Sequence, residues 1–258
     1  MTKYYLDTEF LEGTQKKKFF GKTPPTIDLI SIGVVAEDGR EYYAISKDFN
    51  LEEAWKRYDH APQTMFEKQN GFYGKKIYWI RDNVLFPIFE ELHIRECEES
   101  DSLGYTNIFN YSSFKRLIKK YGKSRIQIAS EICDFIYGGS DDISGLSPLQ
   151  LARTYEISDK SKEPDFYTYY GAYDWVVFCW LFGKMIGLPK GFPMYSKDLK
   201  QMLDEKGKNL LPHTAYQNQG QVVGYLKEQP NYPKQENCHN ALDDARWNKK
   251  LYEFLQTV

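Results

Sequence analysis

The sequence has little cysteine, and none of it is paired by spacing: Cys97, Cys133, Cys179 and Cys238 are scattered along 258 residues without a CxxC. That argues against a disulfide framework or a zinc knuckle, and for reduced, buried thiols in a cytoplasmic protein. Long apolar runs are missing too. No stretch approaches the roughly 18 apolar residues of a membrane span, so no membrane association is expected. Met1-Thr2-Lys3-Tyr4-Tyr5 carries no apolar signal core. An excess of positive charge is also absent, since 34 Lys and Arg stand against 36 Asp and Glu for a net charge of -2. Proteins that coat nucleic acid by bulk electrostatics are usually basic. That class is therefore disfavoured, whereas an enzyme gripping one strand end is not. Internal repeats and low-complexity tracts are lacking as well.

What is present is an ordinary globular composition, 41% hydrophobic and 27% charged, with a high aromatic share of 16% that includes 21 Tyr and 16 Phe. Most of those rings are expected to pack, and a minority to serve as stacking platforms for bases. The length allows one sizeable core with a small appended part. Residues 4–10 read as a strand ending in acids, and 11–25 as a loop. Residues 28–36 and 41–46, joined by Glu37-Asp38-Gly39-Arg40, read as a hairpin, so the chain opens on an antiparallel half-sheet. Helices are expected at 51–57, 83–92, 114–121 and 130–137, the last capped by Ser130. Residues 93–112 read as acidic and polar, and 138–142 and 158–164 as loops. A strand at 166–170 then passes through Gly171 into an apolar helix running to 185. A helix at 199–203, a polar loop at 206–234 and a last helix at 240–254 complete the chain.

The acids at these junctions carry the chemistry. Asp7 and Glu9 lie at i and i+2 of the first strand, hence on one face, where like charges repel unless a cation or protons neutralise them. Asp174 opens the middle helix at a strand's C-terminal edge, where ligand sites of open α/β sheets concentrate. His239-Asn240-Ala241-Leu242-Asp243-Asp244 opens the last helix. Taken singly, these are a solvated strand end, a helix-dipole acid and a capping cluster. Together and in this order they form the DEDDh exonuclease pattern.

The resemblance extends to whole stretches. Leu6-Asp7-Thr8-Glu9-Phe10, the run from Leu29 to Ala44, Gly171-Ala172-Tyr173-Asp174 and His239-x-Ala241-Leu242-x-Asp244-Ala245-Arg246 resemble RNase AS. That is a family of small bacterial 3′→5′ exoribonucleases with phage-encoded relatives, and its likeness covers about half of the chain. It implies an α/β, RNase H-like mixed sheet flanked by helices, within a single exonuclease domain over residues 1–258. It also implies two magnesium or manganese ions, a single-stranded, adenylate-rich RNA 3′ end as substrate, and a homodimer. This chain departs from the family by extra material at 14–26, 57–79, 94–162 and 204–236. Helical spacing from His239 alone would favour Asp243 at i+4, whereas the family spacing selects Asp244.

Hydrolysing a phosphodiester needs an activated water and neutralised phosphoryl charge, which paired hard cations on carboxylates supply. On the family pattern Asp7 bridges both ions, Glu9 and Asp244 complete the nucleophile side, and Asp174 serves the leaving-group side. His239 is the general base, suited by its near-neutral pKa. The candidate substrate contacts are Thr8, Phe10, Tyr173 and Trp175: Phe10 as a stacking platform, the backbone of 8–10 against the 3′ hydroxyl, Tyr173 and Trp175 as flanking rings. Lys16-Lys17-Lys18 is a candidate for steering phosphates. The motif does not distinguish RNA from DNA, so a proofreading-type DNA exonuclease is the nearest rival. A catalytically inactive RNA-binding module is the rival of another class.

Overall fold

Alternation along the first strand decides what each face of the sheet carries. In the computed structural model, which describes residues 1–15, 24–100, 108–137, 150, 163–210 and 226–258, β1 (Thr2–Thr14), β2 (Pro25–Ala36), β3 (Glu41–Ile45), β6 (Pro164–Thr168) and β7 (Lys197–Asp198) form one sheet. Its strand order is β3-β2-β1-β6-β7. β1 pairs parallel with β6, and β6 with β7. The turn at 37–40 returns β3 against β2, with Ala36 N donating to Arg40 O and Ser46 N to Ile30 O. The sheet is therefore mixed and the class α/β, as expected from the sequence.

The chain divides into two compact units: Met1–Glu9, Ser31–Ala44 and Lys123–Val258 form the first, and Phe10–Ile30 with Ile45–Gly122 the second. In the first unit Tyr4 points to one side of the sheet, where its ring meets Phe135 of α5 (Arg125–Tyr137) and Phe166 of β6. Phe166 in turn packs on Phe178 of α6 (Ala172–Leu181). Tyr5 points to the other side, into a core with Leu203 of α7 (Leu199–Leu210) and Leu251 of α8 (Ala241–Leu255). By the same alternation Asp7 and Glu9 face α8, and Thr8 faces α6.

Two contacts press α8 onto the sheet. A Cβ at Gly33 would lie 2.2 Å from the Ala241 carbonyl oxygen, so only glycine allows this approach. Asn248, 1% exposed, donates from Nδ2 to the Leu6 carbonyl at 3.0 Å. Breaking that buried bond leaves a polar group unsatisfied, at a cost of about 1–3 kcal/mol.

The second unit carries the rest of β1 and β2 with α1 (Leu51–Lys56), α2 (Met65–Asn70), α3 (Phe86–Ser100) and α4 (Tyr111–Tyr121). A π-turn (Arg81–Leu85) leads into α3. Its core is aromatic: Phe109 lies 4.8 Å from Trp55 and 5.1 Å from Phe89, ring centre to ring centre. Within 57–79, a two-residue ladder of β4 (Asp59–His60) with β5 (Lys76–Ile77) brackets α2.

Several expected boundaries are corrected. β1 continues to Thr14, with Leu11 fully buried, where a loop was expected. The acidic stretch after residue 92 stays helical to Ser100. α5 begins at Arg125, with Ser124 Oγ accepting from Gln127 N, so Ser130 is not its cap. α6 stops at Leu181, ahead of Gly183 at φ +86°, well short of residue 185. Residues 206–210, expected to be loop, extend α7. Cys238, expected to be buried, is exposed. Lys16, Lys17 and Lys18, the loop at 138–142 and most of that at 158–164 lie outside the described residues.

Candidate active site

β1 delivers Asp7 and Glu9 to the α8 side of the sheet, and α8 meets them with Asp244. Oxygen atoms of these three carboxylates lie within 4.8 Å of one another. Asn240 caps α8, its side chain accepting from Leu242 N at 3.0 Å and Asp243 N at 3.2 Å. With the helix starting after Asn240, Asp244 turns inward. Asp243 turns outward and pairs with Arg246 at 2.6 Å, which also grips Glu41. The two adjacent acids left open by spacing are thereby separated: one sits in the cluster, the other in a surface ion-pair network.

His239 precedes the cap with φ +71°. A side chain in this left-handed region costs about 1–2 kcal/mol. The turn holds because its N–H donates to Asp244 Oδ2 at 2.9 Å. The imidazole is then placed with Nδ1 4.0 Å from Glu9 Oε1, the His239 side chain 42% exposed and that of Glu9 12%. A base at the rim of a buried carboxylate group can reach both solvent and a group held by the acids.

Asp174 arrives separately, buried in the first turn of α6. Its Oδ1 accepts from Thr8 N at 3.0 Å and from Thr8 Oγ1 at 2.6 Å. Both donors of Thr8 are thus committed to holding Asp174, where the sequence reading set Thr8 against substrate. The helix start depends on Gly171, since a Cβ there would collide with the Thr168 side chain.

The electrostatics of the group are unbalanced. Burial, then the charges of Asp174, Asp244 and Glu9, raises Asp7 well above the usual carboxylate range. Burial, then Asp244 and Asp174, pushes Glu9 up to about 8. Burial pushes Asp174 up to about 6 against the opposing hydrogen bonds from Thr8. Asp244 is raised by burial, and hydrogen bonds from Gln235 and His239 oppose that rise. Among the described residues no lysine or arginine forms an ion pair with any of the four. Crowded, desolvated carboxylates without a basic partner form an all-oxygen donor set that fits a hard divalent cation.

Gln235 is the residue that the sequence reading missed. Its Nε2 donates to Asp244 Oδ1 at 2.5 Å. It is set there by Trp247 of α8, whose indole donates to the Pro233 carbonyl at 3.0 Å. Nothing in the sequence marks it, because it lies in the extra material at 204–236, next to the stretch read as polar loop. The proposed stacking residues are placed differently from one another. Tyr173 is 49% exposed on the turn that carries Asp174. Trp175 is 8% exposed, stacked on Phe178 with its indole donating to the Met194 carbonyl, a core position. Phe10 belongs to the second unit, where it is half-buried and lines a cavity of about 400 Å³ with Glu12, Arg57, Asp59, Trp79 and Ile80.

No helix among the described residues is long and apolar enough to cross a membrane. No family model matches the chain. The sequence is similar to two proteins of Mycobacterium tuberculosis, one from strain CDC 1551 / Oshkosh and one from strain ATCC 25618 / H37Rv, each named a 3′-5′ exoribonuclease. Each is 26% identical over 256 residues, an alignment covering 99% of this chain and 94% of the relative.

Proposed function

We propose that the chain is a 3′→5′ exoribonuclease of the DEDDh group, akin to RNase AS, that releases nucleoside monophosphates from single-stranded RNA ends. The observation that carries this reading is the meeting of Asp7, Glu9 and Asp244, from both ends of the chain, in one partly buried group with no lysine or arginine partner among the described residues. The full-length similarity to two proteins named as exoribonucleases supports it independently.

Asp7, Glu9, Asp174 and Asp244 are the residues that would hold two magnesium or manganese ions. Such ions, when bound, supply an activated water and offset charge on the phosphoryl oxygens and the leaving group. His239 takes the proton from the attacking water. Its place beside Glu9 and its exposure suit that task. Thr8 acts by fixing Asp174, and Gln235 by fixing Asp244. Tyr173 is the candidate for stacking on a base near the cleaved end, with Phe10 a second; the Trp175 ring is packed on Phe178, which favours these two over it. An adenylate-rich 3′ end and a homodimer belong to the same proposal through the family resemblance.

The runner-up is a DNA exonuclease, because the four acids and His239 would serve a deoxyribose strand equally. The deciding experiment follows 5′-labelled oligoadenylate and oligodeoxyadenylate, each with magnesium or manganese and with chelator. Metal-dependent laddering of the RNA with release of AMP is expected. Faster cleavage of the DNA would replace the reading with the runner-up, and no cleavage of either with any divalent ion would sink both. A His239→Ala protein that kept full activity would remove the histidine from its role.

A further inference from the structure

The segment from Lys56 to Arg81 has a composition that its own structure uses only in part. It holds six lysines or arginines against two acids, in a chain of net charge -2, and six aromatic residues besides. Its order comes from the backbone. β4 and β5 pair through two residues each, and Ala61 N donates to Lys75 O at 2.8 Å. Gly74 approaches so closely that a Cβ there would meet the Ala61 carbonyl oxygen. α2 is fastened by a capping box between Thr64 and Glu67 and by Gly71 at φ +68°, and buries none of its residues. The rings are therefore not the core of this segment. Phe66 is 67% exposed, Phe72 57% and Tyr73 80%. Phe66 and Phe72 lie 6.5 Å apart, ring centre to ring centre, and exposed rings grouped in this way mark an interaction surface.

The cations choose the partner. Among the described residues, none forms an ion pair with Arg57, Lys68, Lys75 or Lys76. Instead Lys76 Nζ lies 3.9 Å over the Tyr58 ring, and the Arg81 guanidinium 4.0 Å over Tyr78. An apolar protein face would bury these charges without compensation. A double-stranded nucleic acid would satisfy the charges but keep its bases out of reach of the rings. A single strand answers both, its phosphates meeting the cations and its bases stacking on the aromatics.

We propose that the segment 56–81 is a binding surface for single-stranded RNA, with exposed aromatics as base platforms and Arg57, Lys68, Lys75 and Lys76 as phosphate contacts. The choice of RNA over DNA rests on the exoribonuclease reading above. The surface adds strand affinity that the carboxylate cluster, being negative, does not supply.

The test titrates the full chain, in chelator to prevent hydrolysis, into a fluorescein-labelled single strand of about 20 nucleotides, longer than a stacking site of this size needs. Fluorescence anisotropy is read at several salt concentrations, and melting temperature serves as the check on folding. The double variant Phe72→Ala/Tyr73→Ala is expected to weaken binding by about five- to a hundredfold, the range for losing one stacked base. Lys75→Gln/Lys76→Gln is expected to flatten the salt slope by about 1.4, two phosphate contacts on a single strand. Unchanged affinity in both well-folded variants, or no binding by the wild type, overturns the proposal. So does a change in sedimenting mass without a change in RNA affinity, which would make the surface a contact between copies. The same strand incubated with manganese separates the two claims. Cleavage with variant-insensitive binding removes only this surface, while variant-sensitive binding without cleavage removes only the nuclease reading.

Discussion

The carboxylate cluster and the segment 56–81 carry opposite charge, and each leaves much of it without an ion pair among the described residues. Among the described residues, Asp7, Glu9 and Asp244 crowd together with no lysine or arginine partner, and Arg57, Lys68, Lys75 and Lys76 stand without an acidic one. Other charges are balanced locally, as where Arg246 bridges Glu41 and Asp243 or Arg116 holds Glu96. Such exposed pairs contribute little to stability and ask for no ligand. On the two proposals, charge that is left unneutralised is the guide to what each place binds: cations in one, a polyanion in the other.

The contrast can be broken first at the cluster. Asp7→Asn and Asp244→Asn should each lower RNA hydrolysis by about a thousandfold, since several kcal/mol of transition-state stabilisation depend on the ions they would hold. The same substitutions should raise the melting temperature in chelator, because they remove repulsion. Lost activity with a lowered melting temperature would make these acids structural. A second test sharpens the account of Asp244. Gln235→Ala should lower activity by about tenfold, with loss recoverable at high metal concentration, as for residues that orient a ligand. An effect that metal concentration does not alter would mean that Gln235 acts on the fold instead.

Acidity gives a third test. Glu9 has its carboxyl pushed up to about 8, against 4.5 without such surroundings. Between those values the unfolded chain releases this proton and the folded chain keeps it, so stability declines as pH rises. In chelator the melting temperature should therefore fall from about pH 5 to pH 8, and a divalent ion should cancel the decline. A flat profile in chelator would show that the acids are solvated. The smallest effect belongs to the neighbouring acid: Asp243→Asn should change stability by less than about 1 kcal/mol, as for an exposed pair, and activity hardly at all. A large loss of activity there would reverse the assignment of the two acids.

The sequence made the skeleton of the site legible because strand alternation and helix capping are local rules. Asp7 and Glu9 share a face by period two, and the amphipathic run from 240 gives α8 to within one residue of its start at Ala241. Thr8 illustrates what could have been read and was not. The same alternation that aligns its neighbours turns it to the opposite face, towards α6 and Asp174. Gln235 was out of reach, since its position depends on a tryptophan twelve residues later grasping a carbonyl. The burial of Trp175 was not legible, because neighbourhood to Asp174 in sequence says nothing about which side of an apolar helix a ring takes. The early strand end at residue 10 failed for a related reason: Lys16-Lys17-Lys18, Gly21 and Pro24-Pro25 made the whole of 11–25 read as loop, while fully buried Leu11 keeps the pleat going to Thr14.

Gly33 has a consequence for how this chain can vary. The carbonyl of Ala241 occupies the space where any side chain would begin, and Ala241 is the first residue of the helix that brings Asp244 to the cluster. In a library randomised at position 33 and selected for RNA turnover, glycine alone should survive. Judged by tolerance to replacement, the position would rank with the acids, although it touches neither metal nor substrate.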